Sequence, residues 1–133
     1  RPDRRVYDTV MVMDATEYLK SKMAGSASVI VASDVFIYIG VLEELFRQCH
    51  CVLRREGLVS FTVEVLRDSE RKDGDRARGI LLNKSGRFSH SRYYIEDTAR
   101  KAGLEFVEWK EEILRKQGNE DVSGAVVTLQ RKR

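Results

Sequence analysis

Ser28-Val-Ile-Val-Ala-Ser33, with Asp34 directly behind it, decides the fold class of this chain. A continuous run rich in β-branched residues is what a strand covered on both faces requires, because neither of its sides can carry polar groups into a core. Upstream, Thr9-Val-Met-Val-Met13 is a second apolar run closed by an acid, Asp14. Tyr18, Leu19 and Met23 then give Ala15 to Ala24 an apolar side, which predicts a strand followed by a short helix. Downstream, Leu42, Leu45, Phe46, Cys49, Val52 and Leu53 recur at three and four, so an amphipathic helix is expected over Val41 to Arg55. Its charges suit the helix dipole: Glu43 and Glu44 stand near the start, Arg54 and Arg55 near the end, and Gly57 follows as a stop.

Leu58 to Val65 reads as the next strand, with Glu64 near its end, and the polar stretch Arg67 to Arg78 reads as loop. Ile80-Leu-Leu82 is a short apolar island, and Asn83 to Ser91 is turn-rich. A helix follows over Arg92 to Ala102, with Tyr94, Ile95, Thr98, Ala99 and Ala102 on its inner face and Gly103 ending it. Leu104 to Leu114 predicts a long strand, and Gln117 to Asp121 a hairpin loop into Val122 to Gln130. Alternation of this kind means an α/β domain: a Rossmann-like, mostly parallel sheet with helices on both faces and an antiparallel C-terminal hairpin. Residues 1–133 read as a single partial domain with a polar insert or lid at about 66–91.

A chain of 133 residues that is 42% hydrophobic supports one core. The charged fraction is 34% and the net charge +3, and the basic stretches at the termini and in the polar insert carry no interleaved aromatics. That pattern describes a solvated surface and argues against nucleic acid as a partner. Cys49 and Cys51 flank His50. In a helix, residues two apart point to different faces, and no second Cys/His group exists to complete four ligands, so no metal is expected and the triplet reads as buried or half-buried helix. With no apolar run near ~18 residues, no disulfide framework and no signal peptide, the expectation is a cytoplasmic protein that makes no use of a membrane. The chain begins at Arg1, without Met and on a charged stretch, and therefore reads as a fragment of a longer protein.

Ligands of an open parallel sheet bind at the carboxyl ends of its strands, and Asp14, Asp34 and Glu64 all fall there. An Asp between strand and helix is also a good N-cap, so each acid alone has a structural reading beside the functional one. The segments Val12 to Ala15, Ser28 to Gly40, Val52 to Leu58 and Phe61 to Glu64 resemble, in order and spacing, the later motifs of class I S-adenosylmethionine-dependent methyltransferases. Ser85 to Arg92 and the closing hairpin look like the methyltransferases fused behind tetratricopeptide repeats.

The resemblance implies S-adenosylmethionine as cofactor. Asp14 would bind the adenine amine with Ala15 beside the ring; Ser33, Asp34 and Val35 would line the methionine part, with Tyr38 nearby. Glu64 would lie on the acceptor side, and Arg87, His90, Arg92 and Tyr93 in a lid over the substrate. The Gly-rich turn and the ribose-binding acid that the family needs are absent from these residues, so they are expected in an upstream segment of the same protein, where the resemblance also implies the repeats. The implied reaction is transfer of a methyl group to an unidentified small-molecule or protein acceptor. His90, by its reference pKa near ~6.5, is the candidate catalytic base, beside a reading as a loop histidine. Two alternatives stand open: a non-catalytic methyltransferase-like binding or scaffold module, and half of another nucleotide-binding fold, against which the antiparallel hairpin speaks.

Overall fold

Asp14 starts the first element: its carboxylate accepts from the N–H groups of Thr16 and Glu17 and caps helix α1, Ala15–Lys20. The computed structural model describes residues 6–67 and 78–133. Strand β1, Ala27–Ala32, follows, then a single 3-10 turn, Phe36–Tyr38, and helix α2, Glu43–Val52. Strand β2 runs Leu53–Val65. Strands β3, Ile80–Leu82, and β4, Phe88–His90, precede helix α3, Arg92–Lys101, and the long hairpin of β5, Leu104–Gln117, and β6, Glu120–Arg131. Among these residues no helix is long and apolar enough to cross a membrane.

β2 is the central strand. On one edge β6 runs antiparallel to it from Leu58↔Gln130 to Glu64↔Gly124. Along the other edge β1 pairs in parallel up to Ala32↔Phe61, and β4 takes over in parallel at Glu64↔Ser89 and Val65↔His90. β5 lies outside β6, and β3 outside β4, both antiparallel. The sheet is therefore mixed, an α/β architecture that ends in the expected antiparallel hairpin, with parallel pairing confined to β1, β2 and β4.

α1 packs on α2, α2 on α3, and α3 on β5, so the helices of the described residues form a layer on one face. That departs from the expectation of helices on both faces. Between sheet and helices sits one core, in which Phe36, Phe46 and Phe61 meet with Phe61 4.5 Å from Phe36 and 5.5 Å from Phe46, centroid to centroid. The alternate positions of β1, Val29 and Val31, point to the other face and are 58% and 72% exposed.

Three further expectations change. Thr9–Met13 is not a strand: it joins no ladder, and Val10 and Val12 stand 78% and 104% exposed. An apolar run becomes a strand only when a neighbour takes its hydrogen bonds, and β1 has no second neighbour among the described residues. α2 ends at Val52, earlier than Arg55, because Leu53 turns extended (φ −67, ψ 137) and begins β2. Arg54 to Gly57 form a bulge against β1, where Ala27 faces Leu53 and Val29 faces Leu58, so Gly57 ends no helix. Finally, the polar insert expected over 66–91 is only partly in view, since 68–77 lie outside the described residues. Its second half is built into the sheet as β3 and β4.

Candidate functional site

β1 delivers the chain to a turn that is both strained and anchored. Asp34 has φ 57, in the left-handed region that Asp tolerates better than most residues. Its N–H donates to Thr62 Oγ1 on β2 at 2.9 Å, and its Oδ1 accepts from Arg115 Nη2 on β5 at 2.5 Å. Phe36 and Ile37, both buried, fasten the far side of the turn, while Ser33, Asp34, Val35 and Tyr38 stay exposed. Apolar anchoring behind and polar groups in front is how a fold presents a loop to a ligand.

Glu64, on β2, is only 5% exposed, and a carboxylate so placed requires partners. Arg87 Nε lies 2.5 Å from its Oε2, and Arg115 Nη1 3.9 Å from the same oxygen. Arg87 Nη2 also donates to Gln117 Oε1 at 2.6 Å. Asp34, Arg115, Glu64, Arg87 and Gln117 thus form one chain of charge-assisted contacts across the carboxyl ends of β1 and β2 and the tip of the hairpin. Because β6 is antiparallel to β2, the end of β5 necessarily falls there. Of these, Glu64, Arg87 and Gln117 line a polar cleft of about 530 Å³, together with Asn83, Ser89 and Ser123.

A second cavity is apolar and open, about 1040 Å³, between the edge of β1 that is unpaired among the described residues, α1 and the segment before it. Ala15 and Val35 both line it, with Met11, Met13, Tyr18 and Val31. The structure therefore brings the expected residues into two groups. Ala15 and Val35 share the apolar groove, with Asp14 and Asp34 beside them in sequence. Glu64 and Arg87 share the polar cleft. In capping α1, Asp14 uses Oδ2 for both bonds, at 3.1 and 3.2 Å.

The expected lid residues do not assemble as a lid. His90 is fully buried, its ring stacked on Tyr94 at 5.9 Å between centroids, and its Nε2 donates to the Gly40 carbonyl at 2.9 Å. Burial depresses its pKa, with the Gly40 carbonyl pulling weakly the other way. Buried in this way, His90 ties β4 to the loop before α2, a core role in place of the exposed loop position expected of it. Tyr93 is 63% exposed on α3 and lines neither cavity. Arg92 pairs with Glu96 at 2.7 Å and lies over the rings of Phe106 and Trp109. In the Cys49-His50-Cys51 triplet, Cys49 is buried, with its thiol pushed up to about 12 by desolvation, and Cys51 is exposed instead of half-buried. His50 Nε2 reaches the Arg133 carbonyl at 2.8 Å.

Sequence reasoning missed Arg115, Gln117, Thr62 and Asn83, whose amide donates to Ser89 Oγ at 2.8 Å. None carries a local signal. Arg115 is one charge among many on β5 and acquires its role from a register set by residues far away in the chain.

No family model and no curated protein sequence matches the chain. Solved structures do. An S-adenosylmethionine-dependent methyltransferase from Methanosarcina mazei superposes with a TM-score of 0.61 at 10% identity, over 84% of this chain and 62% of its own. One from Mesorhizobium loti gives 0.61 at 14% identity, over 85% and 66%. A DNA modification methylase of Thermus thermophilus, solved with S-adenosyl-L-methionine, gives 0.55 at 18% identity, over 91% and 54%. The cyclase SpnF gives 0.65 at 14% identity, over 84% and 53%, so the same fold is found under a different chemistry. The chain spans between 53% and 66% of the length of these four structures. Over the part it spans, its fold is that of the class I S-adenosylmethionine-dependent methyltransferases.

Proposed function

We propose that this chain forms the adenine side and the acceptor side of an S-adenosylmethionine-dependent methyltransferase. The observation that carries the proposal is the convergence, at one end of the sheet, of the exposed strained turn Ser33–Val35 and the buried Glu64 carboxylate, beside an open apolar groove. Ligand sites of α/β sheets lie at that end, and the fold shared with known methyltransferases supports the same assignment.

The residues fit the cofactor in part. Ala15 and Val35 offer an apolar slot for a flat ring. Asp14 keeps one oxygen out of the capping bonds, so Oδ1 is placed to accept from an exocyclic amine while Oδ2 holds α1. Ser33 and Asp34 would receive the polar amino-acid end, with Tyr38 beside it. The Gly-rich turn that lets backbone approach the cofactor is not among these residues, and sequence preceding Arg1 would supply it. When bound, the cofactor provides an electrophilic methyl group on a sulfonium. The chain's own work is then alignment at near-attack distance and exclusion of water.

On the acceptor side, Glu64 has Oε2 engaged by Arg87 and Arg115, and its Oε1 would orient an acceptor hydroxyl or amine. His90 is enclosed, so the acceptor's proton would leave to water or to a group on the acceptor itself. The same two facts favour a second reading, a binding module that keeps the site and does no transfer. Calorimetric titration of S-adenosylmethionine into the full-length protein tests the first point, with Asp14→Ser as the variant, because Ser keeps the cap and removes the carboxylate. The proposal expects binding by the parent protein and a roughly tenfold weaker Kd in the variant, the effect of losing one charge-assisted contact. An unchanged Kd makes Asp14 a cap alone. Binding without incorporation of labelled methyl into any acceptor fraction favours the binding module.

A further inference from the structure

We infer that Arg115, on the closing hairpin, is a positioning residue that couples the cofactor-side turn to the acceptor-side carboxylate. The inference rests on the proposed division of the site into those two sides.

Arg115 reaches both. One terminal nitrogen, Nη2, is 2.5 Å from Asp34 Oδ1, and the other, Nη1, is 3.9 Å from Glu64 Oε2. A planar guanidinium with two separated donors can hold two carboxylates at a fixed spacing, which the single ammonium of lysine cannot do. The side chain is 23% exposed, so its contacts are only partly screened.

Its aim is built into the strand. Between Ile113↔Ser123 and Arg115↔Val122 the β5–β6 ladder gains one residue, Leu114, which makes a bulge. Side chains alternate faces along a strand, so one inserted residue resets which face Arg115 presents. The bulge is accommodated by Gly124 opposite: a Cβ there would lie 2.1 Å from Leu114 Cδ1 and 2.6 Å from the Val63 carbonyl. Leu114 therefore folds over Gly124, and Arg115 turns to the ends of β1 and β2. The backbone of Asp34 needs such a hold, because a left-handed non-glycine residue persists only where its surroundings fix it. The other tie is the Thr62 hydroxyl.

The hairpin then works as a strut. It fixes Asp34, which belongs to the turn that would face the cofactor, relative to Glu64, which would face the acceptor. Glu64 keeps Arg87 when Arg115 is removed, so loss of Arg115 loosens the turn without stranding a buried charge.

The test is backbone amide hydrogen exchange, read by mass spectrometry on the full-length protein, for Arg115→Gln, Arg115→Lys and Asp34→Asn. The expected result is a roughly five- to tenfold rise in exchange over 33–38 in Arg115→Gln, little restored in Arg115→Lys, with β2 and β6 unchanged. Asp34→Asn breaks the same contact from the other end and should loosen the same peptide, and the double variant should add little to either single change. Unchanged exchange over 33–38 in Arg115→Gln, or full rescue by lysine, overturns the inference. Exchange needs no bound cofactor, so failure of S-adenosylmethionine to bind would sink the proposed function and leave this result standing.

Discussion

Asp14 and His90 are both polar residues singled out by sequence, and the fold treats them in opposite ways. Asp14 stays exposed at a helix start, where capping and ligand binding call for the same carboxylate. Asp14→Ala should lower stability by about 1 kcal/mol in thermal unfolding, and Asp14→Ser should restore most of it. His90 is enclosed and held neutral, with burial the dominant cause of its lowered pKa. A histidine whose folded pKa is depressed leaves the unfolded state binding more protons, so its contribution is intact above the unfolded pKa and is lost as pH falls below it. Stability should therefore drop below about pH 6.5, by up to about 1.4 kcal/mol per pH unit. His90→Gln should flatten that slope in unfolding curves between pH 7 and 5; an equal slope would assign it elsewhere. Sequence could place Asp14 at an element boundary, because the signal is local. It could not bury His90, whose position follows from β4 pairing with β2.

At the scale of elements, the legible parts are those with long periodic patterns or a glycine at the end. α2 and α3 show their inner faces in the spacing of Leu45, Phe46, Cys49 and of Tyr94, Ile95, Thr98, and the hairpin shows its turn. Gly103 has φ 83 and closes α3 as expected. β4 is three residues long and has no pattern to read; Thr9–Met13 has the pattern and lacks a neighbour. Contacts between elements were not legible either. Tyr94 Oη accepts from the Leu42 N–H at 2.9 Å and donates to Glu43 at 3.0 Å, so α3 supplies the hydrogen bonds at the start of α2, whose own cap position, Leu42, has no side chain to do so. Tyr94→Phe should cost about 1–3 kcal/mol, because it leaves a buried N–H without a partner. A loss below the error of denaturant titration would mean that water replaces the hydroxyl.

For the whole molecule, the sheet runs out beyond β6 to β5, the outer strand of the hairpin. On the other side β1 has no second neighbour among the described residues and presents an open edge next to an apolar groove and two exposed valines. Such an edge is a liability in a finished domain and is ordinarily covered. The proposed cofactor site lies along that open side, and the residues here contribute its acid, its apolar slot and its acceptor wall. The direct measurement is a side-by-side calorimetric titration of S-adenosylmethionine into residues 1–133 and into the full-length protein. The account predicts saturable binding by the full-length protein and a Kd at least about a hundredfold weaker, or no heat at all, for residues 1–133, since the proposed upstream glycine turn and second acid would supply the larger part of the contacts. Equal, micromolar affinity in the two, or none in either, would contradict it.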